Sequence, residues 1–454
     1  MTATDFLGNP VHAADEQEAR AIDGFVTGFL GYTPRILEPL PLVAAGSTHP
    51  QLNIYAGWLW MFSESPHGFS GALNHLERAR AGRRLMPREH GCATALECWI
   101  NRDIDGAVGS LDDVLSRFPR DLAALKLHQY LNFNRGRSAD MLRVALQSMP
   151  AASDIPQLHG MLAFGYEQCH LLAEAERSAW SALDLYPAEP WAHHALAHVY
   201  LTTGRIDEGI RFLEERSASW DGLTSFMYTH NWWHLALFLL SEGRADDVLN
   251  IYDQHVWGRD PSYSQDQVGA VSLLARLEMA QVSVGNRWEK LADYLSARAA
   301  DVVEPFLSLQ YLYGLARARR PEAMVLLDAM RRRAEEHDAS ALLWREVALP
   351  AAAALLAHAQ EDYSACLSRL GPVLGRLLEV GGSHAQRDLF AQFYLDSLLR
   401  SGADSAAQQL LEQRRLFEPN GVPLNRALAG VYERLGLPEQ AAQARNRSNR
   451  PRNH

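Results

Sequence analysis

The sequence predicts an all-α fold in which antiparallel helix pairs stack into a right-handed superhelix, an α-solenoid. Apolar residues recur at three- and four-residue spacing from about Leu73 to Ala444, and few segments show the period-two alternation of strands. Glycine and proline fall between these periodic segments, where they end helices. Because a helix pair buries only one face by itself, such a chain completes its core by stacking each pair on the next.

The repeat is clearest in the segment PWAHHALAHVYLTTGRIDEGIRFLEER, residues 190–216. With Gly204 at the turn, Ala197 and Gly209 take the positions where paired helices touch, and small residues there let the helix axes approach closely. The same frame of roughly 34 residues fits further places in the chain, whose turns or ends are Pro119, Pro187, Gly243, Gly402 and Pro419. This pattern is typical of tetratricopeptide (TPR-like) repeats, and about eight or nine pairs are expected.

No linker-like segment interrupts the array, so residues 21–445 are predicted to form a single solenoid. Residues 1–20 are predicted to be a loose N-terminal arm, and the polar, basic residues 446–454 a flexible tail. The most apolar stretch, LPAAAALLAHA, has about 11 residues, whereas a bilayer-spanning helix needs roughly 20. It is therefore interpreted as a buried helix of the array.

The net charge limits the classes of binding partner that are expected, and the cysteines indicate the cellular compartment. The net charge is -11, and an acidic surface repels phosphate backbones and anionic lipid, so neither nucleic acid nor a membrane is an expected partner. The four cysteines are scattered and form no CxxC pair, which argues against a zinc ribbon or a disulfide framework. Free thiols suit a reducing compartment, so a cytoplasmic location is expected.

Histidines concentrate on the helices predicted to face the groove. His194 and His198 are four residues apart, so they share one helix face, and His230 and His234 repeat the spacing one unit later in THNWWH. The first helices of neighbouring repeats run side by side about 10 Å apart. We therefore expect the imidazoles of both pairs to converge.

Other polar and aromatic residues are expected to line the same groove. Arg88 and Glu89 begin a helix in PREH, and His159 and Glu167 lie on the helix before the first histidine pair. Capping of the helix start is the competing role for Glu89. Trp233 is expected either to line the groove with its flat indole ring or to pack between repeats.

A second cluster lies in the segment GGSHAQRDLF. Ser383 as N-cap and Gln386 three residues later complete a capping box. That box leaves the roles of His384, Arg387 and Asp388 unexplained. A helix N-terminus attracts anions, so these side chains are expected to bind a carboxylate or phosphate, unless they form a salt bridge within the first turn.

Three interpretations of the histidines stay open. Neutral imidazoles with a carboxylate suit a divalent metal such as Zn, Fe, Ni or Mn. Metal-free acid–base chemistry needs no cofactor, and simple helix packing needs no ligand. The expected metal ligands are His194, His198, His230 and His234. The expected catalytic residues are Glu167, His194, His230 and His384. The expected binding residues are Arg88, Glu89, His159, Trp233, Arg387 and Asp388.

The motifs HNWWH and GGSHAQRD belong to a wider set of matching segments, with HGMLAFGYEQ, WAHHALAHVYLTTGRIDEG and PRDLAALKLHQ. These segments, spread over roughly residues 87–415, resemble those of tetratricopeptide repeat protein 38 and its bacterial relatives. The resemblance implies a TPR-like helical fold and brings no established reaction. Gln310 stands where a histidine is expected from the resemblance, which puts in doubt any role of its helix in a shared site.

The functional expectation is a small-molecule site inside the solenoid, with hydrolysis or lyase chemistry on a small polar substrate. The alternative is a non-catalytic scaffold whose groove holds a peptide or protein partner, and a third is structural assembly through a homodimer. Peptide clamping favours Lys, Arg and Asn along the groove, whereas the inferred groove is rich in His, Trp and Glu. No Walker loop, dinucleotide fingerprint, nucleophile elbow or kinase motif is present in the sequence.

Overall fold

The computed structural model describes residues 2–12, 15–82 and 84–449, and helices dominate them. The predicted all-α, TPR-like class is confirmed. That residues 21–445 form a single solenoid stays a prediction. By its contacts the chain divides into two compact units. The first comprises Met1–Ala195, Ser219–Met227 and His337–Ala341, and the second Leu196–Ala218, Tyr228–Glu336 and Leu342–His454.

The first unit begins with a two-stranded antiparallel sheet and continues with helices that mostly pack in sequential pairs. Its strands are β1 (Thr2–Thr4) and β2 (Pro10–His12). Its helices are α1 (Glu16–Gly31), α2 (Pro39–Ala44), α3 (Pro50–Met61), α4 (Pro66–Gly82), α5 (Pro87–Ile100), α6 (Ile104–Arg117), α7 (Leu122–Phe133), α8 (Ser138–Ala152), α9 (Pro156–Gln168) and α10 (Leu172–Leu185). Helix α11 (Pro190–Thr202) begins in this unit and continues into the second.

The second unit has the same helical character. Its elements are α12 (Ile206–Arg216), α13 (Ser225–Ser241), α14 (Ala245–Ile251), α15 (Ser264–Met279), α16 (Arg287–Leu295), α17 (Pro305–Arg317), α18 (Glu322–Glu335), α19 (Ala341–Leu343), α20 (Leu349–Ala359), α21 (Tyr363–Leu370), α22 (His384–Arg400), α23 (Asp404–Arg415), α24 (Val422–Arg434) and α25 (Pro438–Ser448). Helices α13 and α19 each begin with residues of the first unit. Of the predicted tail 446–454, the first residues complete α25, and residues 450–454 lie outside the described part of the chain.

The predicted loose arm is instead a folded hairpin. Ala3 pairs with Val11 across the two strands, and helix α1 has already begun at Glu16. In the connecting turn, the buried carboxylate of Asp5 lies 2.9 Å from the guanidinium of Arg88. A buried ion pair to a helix far along the chain therefore holds the N-terminal segment in place, which local sequence patterns do not reveal.

The turn predicted at Gly204 is present and depends on glycine. Helix α11 ends at Thr202, α12 begins at Ile206, and Gly204 between them has a φ of +70°. At the predicted close-contact position, a Cβ added to Gly209 would lie 2.3 Å from a ring carbon of Phe238. The small residues of the repeat frame thus mark places where helices touch.

We expect Gly204→Ala to destabilise the protein more than Gly402→Ala. Their φ values are +70° and +69°, a conformation that costs alanine about 1–2 kcal/mol. A Cβ at Gly204 would also lie 2.3 Å from the backbone oxygen of Phe417, whereas nothing lies within 4 Å at Gly402. Urea unfolding should show a loss of about 1 kcal/mol at Gly402 and of about 2 kcal/mol or more at Gly204. Equal losses would show that the approach of Phe417 does not matter.

The apolar helix is longer than its sequence suggested. The stretch Ala341–Ala359 is helical over 19 residues, because α19 and α20 are joined by the π-helical segment Trp344–Ala348. By length and composition alone it is sufficient to cross a membrane, with a mean hydropathy of 1.2, so the prediction that it is too short is wrong. Within the most apolar 18 residues of this stretch, 56% is buried inside the fold, as in the core helix of a helical array.

Candidate metal centre and adjoining cavity

Two helices, α11 and α13, carry the histidines of the candidate site. Helix α11 starts at Pro190, which suits the first helical position. The carboxylate of Glu189 caps this start by accepting a hydrogen bond from the backbone N–H of Ala192. Both helices are strongly apolar, so they are buried and hold their few polar side chains inside the protein.

The structure brings four imidazoles together. One nitrogen from each of His194, His198, His230 and His234 lies within 4.8 Å of one nitrogen from every other, and all four residues are buried. The ring centroids of His198 and His234 are 4.6 Å apart, and those of His230 and His234 are 4.8 Å apart. These three histidines belong to the second unit, and His194 lies one turn before His198 on the continuous helix α11.

Burial keeps the central imidazoles neutral. It lowers the pKa of His230 to about 3, and the nearby His198 lowers that pKa further. Burial also lowers the pKa of His234 well below its ordinary value, and His198, His230 and Arg276 act in the same direction. Neutral imidazole is the form that binds a metal ion, so at pH 7 no proton has to be displaced from these two rings.

A tryptophan and an arginine border the histidines. The indole of Trp233 stacks on His230, with centroids 5.2 Å apart and an interplanar angle of 8°. The guanidinium carbon of Arg276, from α15, lies 5.5 Å from the centroid of the same indole. The buried Nε1–H of Trp233 has no hydrogen-bond partner in the described part of the chain. An acceptor atom brought by a ligand would satisfy this donor.

The donor set fits a borderline divalent ion such as zinc. Zinc takes imidazole nitrogens as ligands, and one nitrogen from each of the four histidines lies within 4.8 Å of the others. Three imidazoles leave one coordination position for water or substrate, as in catalytic zinc sites, whereas four close the site. Which form is adopted depends on whether His194 ligates.

A cavity of about 350 Å³ adjoins the histidines within the second unit. Thr202 and Leu237 in its wall lie one helical turn, about 5.4 Å, beyond His198 and His234 on the same two helices. Its apolar wall includes Leu201, Leu237, Leu240, Leu395, Leu399 and Leu424. Its charged or polar wall includes Arg276, His384, Asp388, Gln392, Arg414 and Glu418.

The GGSHAQRDLF segment forms part of this cavity wall. Ser383 and Gln386 make the expected capping box at the start of α22. Asp388 receives two hydrogen bonds from Arg414, the shorter 2.6 Å. Burial alone would raise the pKa of Asp388, but the charge and hydrogen bonds of Arg414 outweigh that effect and lower it to about 2. The Asp388 side chain is therefore an ionised partner of Arg414 at neutral pH.

Arg387 and His384 interact with their own segment. Arg387 donates a hydrogen bond to the carbonyl oxygen of Gly382, and its Nη2 lies 3.3 Å from Nδ1 of His384. His384 and Asp388 line the cavity, whereas Arg387, the third residue predicted to bind an anion, is not among the lining residues. The salt bridge that holds Asp388 comes from α23 and does not form within the first turn of α22.

Three other predicted residues, the binding residues His159 and Glu89 and the catalytic residue Glu167, lie in the first unit. His159 has its Nε2 2.8 Å from the carbonyl oxygen of Ser153, and the buried Glu167 accepts a hydrogen bond from Gln168. Glu89 lies 2.7 Å from His12. These three residues are not among the group of side chains that can hold a metal ion.

Arg88 also lies in the first unit, in a buried network. Its guanidinium donates to Asp121 at 2.7 Å and to the hydroxyl of Tyr55 at 3.2 Å. With the Asp5 ion pair, two carboxylates neutralise this cation. Its bonds are thus directed to the hairpin and the start of α7, not to a substrate.

Arg276 was missed by the sequence analysis, although a signal exists. It is a lone charge in the apolar run VSLLARL of α15. Because arginine is almost never fully buried without a partner, a cation on an otherwise apolar helix indicates a functional or paired group. The partner itself cannot be read from the sequence.

Comparisons with known proteins return helical-repeat structures of low similarity. No protein family profile matches the chain. The human IFIT1 dimer with PPP-AAAA is 11% identical, with a TM-score of 0.42 over 96% of this chain and 95% of that chain. The same dimer with m7Gppp-AAAA gives 11% identity and a TM-score of 0.41 over the same shares. Naa15/Naa10 bound to HypK-THB gives 14% identity and a TM-score of 0.26 over 96% of this chain and 68% of that chain.

One partner prediction, the exclusion of nucleic acid, needs correction. From the acidic net charge, the sequence predicts no nucleic-acid partner, but that inference is not valid. Net charge averages over the whole surface and does not report on a local groove. The exclusion of nucleic acid is therefore wrong.

Proposed function

We propose that this TPR-like protein binds a divalent metal ion through His198, His230 and His234, and that the ion acts on a small molecule in the adjoining cavity. The observation that carries the proposal is the convergence of buried imidazole nitrogens within 4.8 Å of one another. Neutral, buried imidazoles whose nitrogens converge on one point are the kind of ligand set that binds a divalent ion.

The chemistry follows from the number of ligands. A zinc ion held by His198, His230 and His234 would supply an activated water for hydrolysis, or would itself act as the Lewis acid in lyase chemistry. Thr202 and Leu237 of the cavity wall lie one helical turn from His198 and His234, and the proposal requires that a molecule bound in the cavity extends over this distance. The N–H of Trp233, beside His230, would donate to an oxygen of a molecule that extends from the cavity to the metal.

The first experiment measures metal content. Protein purified without a His tag is stripped with a chelator, dialysed against Zn²⁺, and analysed by elemental mass spectrometry. We expect about one zinc per chain, and a large loss of zinc in His234→Ala. His337→Ala removes an exposed histidine and should retain the metal. Substoichiometric zinc in the wild type, or full zinc in His234→Ala, would refute the proposal.

A second measurement decides whether the site is open. In the Co²⁺-loaded protein, d–d absorption intensity separates four- from five- and six-coordinate metal. We expect His194→Ala to keep the metal and to keep a four-coordinate spectrum, because water replaces the imidazole. Loss of the metal in this variant would mean that His194 is required and that the site is closed and structural.

The proposal includes kinship with tetratricopeptide repeat protein 38. Two of the motifs that carry this resemblance, HNWWH and GGSHAQRD, supply His230 and His234 to the metal centre, and His384 and Asp388 to the cavity. Shared motifs at one site support a common ligand. The kinship is tested by measuring the zinc content of a member of that family, which we expect to bind zinc through the same motif.

A non-catalytic scaffold that binds a peptide or protein partner is the second candidate. It is favoured by Leu416 and Phe417 at the end of α23, which are 74% and 61% exposed. Adjacent large apolar side chains at the surface are typical of protein contacts. A scaffold predicts that Leu416→Ser abolishes partner binding while zinc content stays unchanged.

A further inference from the structure

Arg276 is a buried cation without a matching anion. Its side chain is only 3% exposed, and it forms no ion pair with a carboxylate in the part of the chain that the structure describes. It donates instead to the carbonyl oxygen of Ala385 at 2.7 Å, and to the carbonyl and hydroxyl oxygens of Ser272. Asp388, whose negative charge also acts on Arg276, is already paired with Arg414.

The guanidinium retains donors for a ligand. A guanidinium has five N–H groups, and Arg276 contacts three acceptor atoms, all neutral. A buried charge is normally paired, because removing it from water is costly. Since Arg276 lies in the wall of the cavity, an anion bound there would supply the missing pair.

The apolar wall of the cavity favours a ligand that carries an apolar group as well as an anionic one. Leucines from α11, α13, α22 and α24 form most of its apolar wall, together with Met279. Phosphate or sulfate would leave this apolar surface in contact with water. A molecule with an anionic head and an apolar chain would cover it, and burial of the chain adds affinity.

We propose that the cavity binds a small carboxylic acid whose carboxylate is held by Arg276 and whose apolar chain lies against the leucines. The planar guanidinium matches the two oxygens of a carboxylate. The volume of about 350 Å³ suits a ligand of modest size. The suggestion that this acid is also the substrate rests on the proposed function, whereas its binding requires no metal.

The test measures binding to metal-stripped protein by isothermal titration calorimetry. The probes are hexanoate, its uncharged analogue hexanamide, acetate and inorganic phosphate. We expect hexanoate to bind roughly 10- to 100-fold more tightly than hexanamide, because a charge-assisted pair is lost in the amide. Acetate should bind at least about tenfold more weakly than hexanoate, because it lacks the chain.

Variants connect this preference to Arg276. In Arg276→Met the ratio of hexanoate to hexanamide affinity should fall to near one, and Arg276→Lys should keep part of it. Arg369→Met, which removes an exposed arginine, should keep the full ratio. Melting curves establish that each variant is folded. If Arg276→Met does not fold, the affinities of the wild type and of Arg276→Lys for hexanoate and hexanamide still test the proposal.

Three results would overturn the inference: equal affinity for hexanoate and hexanamide, tighter binding of phosphate than of hexanoate, or a ratio unchanged in Arg276→Met. The two proposals can fail independently. If the protein binds zinc but does not prefer hexanoate to hexanamide, the proposed ligand class is wrong and the metal centre stands. If the protein binds the acid but never takes up zinc, the metal centre is wrong and the ligand class stands.

Discussion

Replacing Arg88 by methionine is expected to lower the free energy of unfolding by about 3–5 kcal/mol, because the change leaves buried carboxylates without their cation. Arg88 is 1% exposed and lies between Asp5, at 2.9 Å, and Asp121, at 2.7 Å. The pKa of Asp5 is already raised by burial even with Arg88 present. Without the guanidinium, neither acid has an equivalent counter-charge.

The matched control for this loss is an ion pair at the surface. Arg80 and Glu97 form a bidentate pair whose side chains are roughly two-fifths exposed. Arg80→Met should cost less than about 1 kcal/mol, because surface pairs are screened by solvent. Urea denaturation followed by circular dichroism measures both variants. Similar small losses in the two would show that the Arg88 network does not hold the hairpin.

Loading the metal-stripped protein with zinc is expected to stabilise it by about 4 kcal/mol when free zinc is a thousand-fold above its dissociation constant. The imidazoles converge only in the folded chain, so the ion binds the folded state in preference to the unfolded one. For a unit of this size the melting temperature should rise by roughly 8–16 °C. Differential scanning calorimetry measures the shift.

Two controls limit this prediction to the histidine site. Mg²⁺ prefers oxygen ligands and should produce no shift. His234→Ala should lose the zinc shift, whereas His337→Ala should keep it. A shift of full size in His234→Ala would mean that zinc stabilises the protein elsewhere, and the proposed centre would have to be abandoned.

The helical array could be predicted because its causes are local. The spacing of apolar residues sets the helices, and a glycine such as Gly204 sets a turn wherever a positive φ is required. The capping box of Ser383 and Gln386 is likewise a contact between neighbours in the chain. The N-terminal hairpin was not predicted, because its anchor on Arg88 depends on residues far apart in sequence.

The histidines were visible in the sequence for the same local reason, since a four-residue spacing places each pair on one helix face. The positions of the other predicted site residues could not be predicted equally well from the sequence. Repeat position places Glu167, His159 and Glu89 in a common groove, yet each of them bonds to a different residue of the first unit. Arg276 comes from a later helix that no motif marks.

The sequence by itself determined that this chain forms paired helices and that two of them carry imidazoles at helical spacing. It did so because hydrophobic periodicity, caps and turns act over a few residues. Only the tertiary structure decided that Arg88 serves the hairpin, and that Arg276 lies between Trp233 and an apolar cavity. Those outcomes depend on which buried charge meets which partner, and this is fixed by how distant helices pack.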